Sequence, residues 1–285
     1  MRLANLSGRA VLVAGDAEAL DVHKASDGRF GPELRGIYDN WTDFVGWAGQ
    51  AGLDGAEPFD VADLGAPSPE PRQIFAIGLN YSAHAAESGF EAPTDLPPVF
   101  PKFQSSLSGP VTEVVLPAGG NTDWEVELVA VIGREVTRVA EADAWDVVAG
   151  LTVGNDISER VVQLRGPAPQ FGLGKSFPGF SPTGPWLVTT DELDDRDNLT
   201  LTCTLDDEVV QDGRTSELIM SVPRLIAELT KVVTLYPGDL IFTGTPAGVG
   251  VGREPQLFVA AGQTLVSSIE GIGELRQTFV PEETP

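Results

Sequence analysis

The sequence predicts a mixed α+β protein that is rich in β-strands, folded as a sandwich or roll with helical additions. Apolar residues occur in many short runs of strand length, and clear helical periodicity is rare. The 285 residues include 32 glycines and 22 prolines, which indicate many turns. Many short strands with few helices are typical of sandwiches and rolls.

Residues 1–66 are predicted to form a small N-terminal module. "GRAVLVAG" predicts a strand pair with a turn, and "ELRGIYDNWTDFVGWAG" predicts a helix, because Ile37, Phe44, Val45 and Trp47 have helical spacing. "LGAPSPEPRQ" is rich in Pro, Gly and Ser and predicts a linker. A larger second domain is expected over residues 71–285.

The second domain contains most of the predicted strands. They lie in "IFAIGLNY", "WEVELVAVIG", "VVAGLTVGNDI", "PWLVTT", "LTLTCTLDDEVVQ", "DLIFTGT" and "QTLVSSIEGIGELRQTFV". One helix is predicted in "SVPRLIAELTKVV", with Ser221 as its N-cap. Its apolar stripe is predicted to contain Leu225, Ile226, Leu229, Val232 and Val233.

The charge balance argues against anionic partners. The formal net charge of -24 repels nucleic-acid backbones and anionic membranes. No apolar stretch reaches the length of a membrane span, and the start of the chain lacks the pattern of a signal peptide. The single cysteine, Cys203, excludes an internal disulfide and is predicted to be a packed strand thiol. A cytoplasmic location is therefore expected.

Two glutamates interrupt the apolar run "NTDWEVELVAVIGR". Glu125 and Glu127 are two residues apart, so on a strand they point to one face, while Trp124, Val126 and Leu128 point to the other. Two like charges on one face repel unless a cation lies between them or one stays protonated. An edge strand with a solvated face is the alternative interpretation.

A third carboxylate, Asp156, ends the apolar run "VVAGLTVGND". An Asn-Asp pair at a strand end is also common in ordinary turns. Three carboxylates from two strands, with no neighbouring His or Cys cluster, match the ligand set of a hard cation. Such an ion would keep about three coordination positions open for a chelating substrate and a water.

His84 and Glu87 lie three residues apart in "GLNYSAHAAESG", so a short helix would place them on one face. A carboxylate beside an imidazole orients it and raises its basicity, as a general base requires. A packing or helix-capping histidine is the alternative. The other histidine, His23, is expected at the surface.

Two glycine-rich segments carry further candidates. "GLGKS" fails as a phosphate-binding loop because the required first glycine falls at Pro169, so Lys175 is either a surface residue or an amine that neutralises an oxyanion. Thr245 lies in a tight loop in "YPGDLIFTGTPAGVG". The amides of this loop could bind a carboxylate or phosphate, or the loop could be a structural turn.

Taken together, these segments resemble the fumarylacetoacetate hydrolase family, and in particular its bacterial fumarylpyruvate and acylpyruvate hydrolases. The resemblance runs over roughly residues 70–280. The segments that carry it, in the family's order, are "IGLNYSAHAAE", "PKFQSSLSGP", "DWEVELVAVIGR", "VAGLTVGNDISERVVQ", "GKSFPGFSPTGPWLVT", "QDGRTSELI" and "YPGDLIFTGTPAGVG". Departures occur at Trp124, where the family often has tyrosine, and at Pro178 and Gly179, where it often has Asp-Thr.

The resemblance implies a mixed β-sandwich roll, a homodimer, and a catalytic domain over residues 71–285. It implies a divalent cation, Mg2+ in preference to Mn2+ or Ca2+. The implied metal ligands are Glu125, Glu127 and Asp156. The implied catalytic residues are His84, Glu87 and Lys175, with His84 and Glu87 on a segment that becomes a helical lid. The implied substrate-binding residues are Arg160, Gln163 and Thr245.

The expected activity is hydrolysis of a carbon-carbon bond in a 2,4-dioxo acid of the acylpyruvate type. The metal would polarise the dicarbonyl and hold an enolate, and the His84–Glu87 pair would activate water. Oxaloacetate decarboxylation or isomerisation of a muconate-like diacid could use the same site. A non-catalytic ligand-binding protein is the hypothesis from another class.

Overall fold

The computed structural model describes residues 1–15 and 17–283, and strands dominate these residues. The strands are β1 (Arg2–Leu6), β2 (Arg9–Ala14), β3 (Glu18–Asp21), β4 (Glu57–Pro58), β5 (Leu64–Gly65), β6 (Ile74–Ile77), β7 (Val99–Pro101), β8 (Leu107–Ser108), β9 (Val111–Leu116), β10 (Thr122–Asp123), β11 (Val126–Ile132), β12 (Val148–Asn155), β13 (Ser158–Glu159), β14 (Ser181–Val188), β15 (Thr200–Leu205), β16 (Glu208–Arg214), β17 (Leu240–Phe242), β18 (Thr264–Ile269) and β19 (Gly273–Pro281). The α-helices are α1 (Val22–Ala25), α2 (Leu34–Asp39), α3 (Trp41–Ala48), α4 (Ser82–Glu87), α5 (Arg160–Gln163), α6 (Phe171–Gly174) and α7 (Val222–Thr230).

Two large sheets form the body of the fold. The larger follows the order β4-β3-β2-β1-β14-β12-β11-β17-β6-β7, with β5 added to β1 and β8 to β14. The smaller has the order β16-β15-β18-β19-β9. Strands β11 and β12 pack against β15 and β18, and the apolar core between the sheets includes Leu128, Val153, Leu201 and Phe279. This is the mixed, β-rich architecture that the sequence predicts.

Strand β11 is buried along its whole length because both of its faces are covered. Its even-numbered residues, such as Leu128, join the core between the sheets. Val129 and Val131 face the other way, into the core shared with Leu34 and Phe44 of the N-terminal helices. A strand that is covered on both sides has a continuous apolar run, and Glu127 is buried within this run.

The N-terminal strands extend the large sheet. β1 pairs antiparallel with β14, with Leu3 opposite Leu187. "GRAVLVAG" contributes the single strand β2, and the turn to its partner β1 precedes it at Ser7 and Gly8, so the predicted strand pair within this segment is wrong. The division into residues 1–66 and 71–285 stays a prediction.

Two helical predictions need correction. The single helix predicted in the N-terminal segment is two helices, because the backbone at Asn40 (φ -123°, ψ 33°) leaves the helical region between α2 and α3. Helix α7 begins after Ser221, whose side chain accepts from the Arg224 amide as predicted, but it ends at Thr230. Val232 therefore lies outside the apolar stripe and is 84% exposed. In the described part of the chain, no helix is long and apolar enough to span a membrane.

Candidate metal centre and active site

The three predicted ligand carboxylates lie together. One carboxylate oxygen from each of Glu125, Glu127 and Asp156 lies within 4.8 Å of the other two, and all three residues are buried. The pairing of β11 with β12 produces this arrangement, because Val126 opposes Asn155. Glu125 therefore directly precedes one strand where Asp156 directly follows the other, and the Asp156 amide donates to the Glu125 carbonyl at 2.8 Å. The solvated-face alternative is wrong for Glu125 and Glu127.

Buried cations contact two of the three carboxylates. Lys175 Nζ donates to Glu125 Oε2 at 2.7 Å and to Asp156 Oδ2 at 2.6 Å. Arg160 Nη1 donates to Glu125 Oε1 at 2.8 Å. Glu127 instead accepts from the backbone amide of Gly244 at 2.8 Å. The surface-lysine alternative for Lys175 is therefore wrong.

The protonation of the acids follows from this uneven pairing. Burial opposes ionisation of Glu125, but Lys175 and Arg160 outweigh it and hold its pKa below the usual range. Burial, together with the charges of Asp156 and Glu125, raises the pKa of Glu127 well above its ordinary value. Burial likewise opposes the charge of Lys175, but Asp156 and Glu125 outweigh it and raise its pKa.

These residues fit a divalent cation. They offer oxygen ligands only, which hard cations such as Mg2+, Mn2+ and Ca2+ prefer. After burial, the negative charges of Asp156 and Glu125 are the causes that raise the pKa of Glu127, and the positive charge of Lys175 only partly offsets them. A doubly charged ion among the three carboxylates would supply the missing positive charge.

The His84–Glu87 pair forms on helix α4. His84 Nδ1 lies 2.8 Å from Glu87 Oε1, and Glu87 Oε2 accepts from the Gly248 amide at 2.9 Å. The second contact fixes the carboxylate, and the carboxylate in turn orients the imidazole. In the tautomer with a proton on Nδ1, Nε2 is the basic nitrogen.

Two charged residues of the centre were missed at the sequence level. Lys102 Nζ contacts Asp156 Oδ1 and the carbonyl of Lys175, and donates to the Phe180 carbonyl at 3.2 Å. Asp123 accepts from Arg160 Nε at 2.8 Å and from the Gly250 and Val251 amides at 2.7 and 2.9 Å. Lys102 lies in "PKFQSSLSGP" and Asp123 lies in "DWEVELVAVIGR". Both segments carry the family resemblance, and this was the sequence signal that could have identified the two residues.

A cavity of about 330 Å³ opens onto this centre. Its lining includes five ionisable residues of the predicted site: His84, Glu87, Glu125, Arg160 and Lys175. Gln163 and Thr245 also line it. Gln163 Oε1 accepts from Arg160 at 2.9 Å, whereas the Thr245 hydroxyl donates to the Val126 carbonyl at 2.8 Å and accepts from Gln211 at 2.7 Å. The Thr245 hydroxyl therefore joins the loop to the start of β11.

The fold and the centre define a β-rich protein with a buried trio of carboxylates and a histidine–glutamate pair at one cavity. The chain belongs to the fumarylacetoacetate hydrolase family, since residues 73–280 match the family model described as "Fumarylacetoacetate (FAA) hydrolase C-terminal".

Known proteins of this family resemble the chain closely. A Mycobacterium smegmatis structure described as a "putative HpcE protein" is 52% identical, with a TM-score of 0.94 over 99% of this chain and 100% of that one. Maleylpyruvate hydrolase from Sphingobium sp. SYK-6, in complex with manganese(II) and pyruvate, is 33% identical, with a TM-score of 0.81 over 99% and 100% of the two chains. The mitochondrial oxaloacetate tautomerase FAHD2A of Homo sapiens is 44% identical over 209 residues, which are 73% of this chain and 66% of that protein. The relatives thus include a hydrolase and a tautomerase.

Proposed function

We propose that the protein is a divalent-metal-dependent hydrolase that cleaves a carbon-carbon bond in a 2,4-dioxo acid of the acylpyruvate type. The observation that carries the proposal is the His84–Glu87 pair, held at 2.8 Å, in the same cavity as Glu125 and Lys175. A general base and a cation beside a carboxylate metal centre are the groups that water attack on a carbonyl requires.

Glu125, Glu127 and Asp156 would hold the metal ion, with Mg2+ preferred and Mn2+ or Ca2+ as alternatives. When bound, the ion would act as a Lewis acid toward the dicarbonyl and offset the negative charge that develops on it. The manganese in the Sphingobium enzyme supports a divalent ion at this centre.

The protein's own residues perform the proton transfers. Glu87, fixed by the Gly248 amide, holds the Nδ1 proton of His84, so Nε2 takes a proton from a water molecule. The water oxygen bonds to the distal carbonyl carbon, and the Lys175 ammonium neutralises the oxyanion. The bond between that carbon and the adjacent methylene carbon then breaks, and the methylene carbon takes up a proton. The products are a carboxylic acid and pyruvate.

Arg160 and Gln163 are proposed to position the substrate. Both line the cavity, and the hydrogen bond from Arg160 fixes the Gln163 oxygen, so its amide nitrogen is the atom that can donate to a ligand. The proposed role of Thr245 is narrower. Its hydroxyl proton goes to the Val126 carbonyl, so it can only accept from a ligand.

Tautomerisation of oxaloacetate is the second candidate, and the 44% identical human oxaloacetate tautomerase favours it. Like the decarboxylation and isomerisation alternatives, it needs proton transfer beside the carboxylate centre but no attacking water. A non-catalytic role would leave the His84–Glu87 pair without a purpose.

The test is a product screen of 2,4-dioxo acids and of oxaloacetate, with Mg2+ or Mn2+ added and with chelator. Hydrolysis predicts equal amounts of pyruvate and carboxylic acid, and His84→Ala should lower the rate by about 10²–10⁴-fold without loss of metal binding. His23→Ala is the matched control, since His23 lies in the N-terminal segment, with Nδ1 2.8 Å from the Phe30 carbonyl, and should leave the rate unchanged. Turnover of oxaloacetate alone would favour the second candidate.

The homodimer and the cytoplasmic location stay predictions. Light scattering of the purified protein tests the first.

A further inference from the structure

A glycine-rich loop, residues 248–252 ("GVGVG"), lies beside the proposed general base. The Gly248 amide donates to Glu87 Oε2 at 2.9 Å, and Glu87 Oε1 lies 2.8 Å from His84 Nδ1. A Cβ built on Gly252 would lie 3.0 Å from Glu87 Cγ, so a second residue of the loop packs closely against the same side chain. The position of this glycine loop therefore sets the position of Glu87, which in turn orients the imidazole.

Asp123 binds the middle of the glycine loop. Its Oδ1 accepts from the Gly250 amide at 2.7 Å, and its Oδ2 accepts from the Val251 amide at 2.9 Å. Oδ2 also accepts from Arg160 Nε at 2.8 Å. The Asp123 side chain is fully buried, so these hydrogen bonds are shielded from competition by solvent. Asp123 thus joins the glycine loop to Arg160.

Trp124 binds the first residue of the same loop. Its Nε1 donates to the Gly248 carbonyl at 3.2 Å, and Arg253 Nη2 donates to the same carbonyl at 3.1 Å. Gly248 has φ +111°, and a Cβ built there would lie 2.1 Å from the Val210 carbonyl oxygen, so the backbone passes too close for a side chain at this position. Asp123 and Trp124, which are consecutive in the chain, therefore hold the loop at its middle and at its start.

Both residues directly precede Glu125, a proposed metal ligand, and neither Asp123 nor Trp124 lines the cavity. We infer that Asp123 and Trp124 are positioning residues, which fix the glycine loop, and through it the His84–Glu87 base, relative to the carboxylate centre. The base lies on α4 and the carboxylates lie at β11 and β12, so the loop links elements that are separate in the chain. The role in catalysis rests on the proposed function, whereas the fixed position of the loop does not.

Hydrogen exchange of the Gly248 amide, followed by NMR with Mg2+ present, tests the fixed loop without any turnover. Asp123→Asn keeps the size of the side chain but leaves it one acceptor oxygen, so the donors on one side lose their partner. We expect the Gly248 amide to exchange about 10-fold faster or more, relative to the amides of β11, which report global unfolding. Trp124→Phe retains an aromatic ring, removes the indole N–H, and should change the exchange rate in the same direction.

Asp239→Asn is the matched control for Asp123→Asn. Asp239 is also fully buried, and it accepts from the backbone amides of Gln73 and Tyr236 at 2.9 Å each. The substitution therefore removes an equivalent buried carboxylate that does not contact the glycine loop. It should leave the exchange of the Gly248 amide, relative to the amides of β11, unchanged.

Kinetics on a 2,4-dioxo acid test whether the loop acts on the base. Asp123→Asn should lower kcat by about 100-fold, since a small displacement of a catalytic group has an effect of this size. In a Glu87→Gln background the same substitution should lower kcat by no more than about threefold, because the base that the loop positions is already disabled. A mere loss of folded protein would lower kcat by the same factor in both backgrounds.

The two readouts separate this inference from the proposed function. If no dioxo acid is cleaved but the Gly248 amide exchanges faster in Asp123→Asn, the proposed hydrolase function fails and the fixed loop stands. An unchanged exchange rate in Asp123→Asn overturns the inference, and Trp124→Phe is read in the same way if Asp123→Asn does not fold. Equal losses of kcat with and without Glu87→Gln overturn the link between the loop and the base.

Discussion

Lys102 is a buried side chain whose positive charge lies against Asp156 of the acid cluster. Its ammonium group contacts Asp156 and two backbone carbonyls, and burial lowers its pKa although Asp156 opposes the shift. Lys102→Met would leave Asp156 with one positive neighbour fewer in a fully buried site. We expect the free energy of unfolding to fall by about 3–5 kcal/mol, as for other broken buried ion pairs, measured by urea denaturation.

Lys231→Met is the matched control for Lys102→Met. Lys231 pairs with Glu228 at 2.7 Å, but its side chain is 61% exposed, so the change should stay within about 0.5 kcal/mol. Equal effects of the two substitutions would show that Lys102 does not stabilise the acid cluster.

At the residue scale, the sequence predicts the acids better than their partners. Glu125 and Glu127 break an apolar pattern, and His84 and Glu87 share a helical spacing, so local rules mark them as candidates and the family resemblance supplies their expected roles. Lys102 is 54 residues from Asp156 in the chain, and only the packing of strands brings them together. Asp123 looks like an ordinary polar residue before β11, and its four hydrogen-bond donors come partly from a loop 127 and 128 residues away.

At the element scale, the loop after β17 positions the Glu127 carboxylate. Gly244 has φ +103°, and a Cβ built there would lie 2.8 Å from Asn80 Cβ and 3.2 Å from the Ile77 carbonyl. Gly244→Ala therefore must move the amide that donates to Glu127. We expect about a 10–100-fold loss of Mn2+ affinity by calorimetry, since outer contacts of this kind orient metal ligands.

Gly262→Ala separates displacement of the loop from backbone strain. Gly262 has φ +90°, but its added Cβ would meet nothing within 4 Å. It should lower stability by about 1–3 kcal/mol through strain and leave Mn2+ affinity unchanged. A similar loss of affinity in both variants would mean that the Gly244 amide has no specific role.

Secondary structure shows the same division between local and distant causes. Strand β11 can be predicted from the sequence because its apolar residues are contiguous, and the start of α7 can be predicted because Ser221 is a favourable N-cap. Apolar spacing does not predict the break at Asn40. The Asn40 side chain donates through Nδ2 to the Gly36 carbonyl and so competes with the backbone hydrogen bonds of the helix. The sheet order follows from tertiary packing alone, since β1 pairs with β14, where Arg2 lies opposite Val188.

At the scale of the whole molecule, metal binding should be coupled to stability. The centre joins the ends of β11 and β12, so an ion bound there stabilises the folded chain over the unfolded one. At about 100 times Kd, Mg2+ should add about 2.7 kcal/mol to the free energy of unfolding, and chelator should remove it. Glu127→Gln should abolish this gain, whereas Glu113→Gln, at an exposed glutamate of β9, should retain it. A gain that persists in Glu127→Gln would place the ion elsewhere.

Cys203 reports on the integrity of the two-sheet body. It is fully buried on β15, facing the core between the sheets, and burial raises the pKa of its thiol to about 12. In the folded protein at pH 8, a disulfide reagent should label it at least about a thousandfold more slowly than in denaturant, because both access and the thiolate are lacking. Rapid labelling of the folded chain would contradict the packed thiol that the sequence predicts.

The same thiol makes stability depend on alkaline pH. Since its pKa is raised above the ordinary value of 9.0, the folded state retains a proton that the unfolded state loses. Its contribution to stability is therefore complete below about pH 9 and declines as the pH rises toward 12. Between pH 9 and 11, urea denaturation should show a smaller decline in the free energy of unfolding for Cys203→Ala than for the unaltered chain. Burial also raises the pKa of the Tyr38 and Tyr81 hydroxyls, but both proteins contain these groups, so they contribute equally to the two declines. Parallel declines in the two proteins would show that the thiol exchanges protons as freely in the folded chain as in the unfolded one.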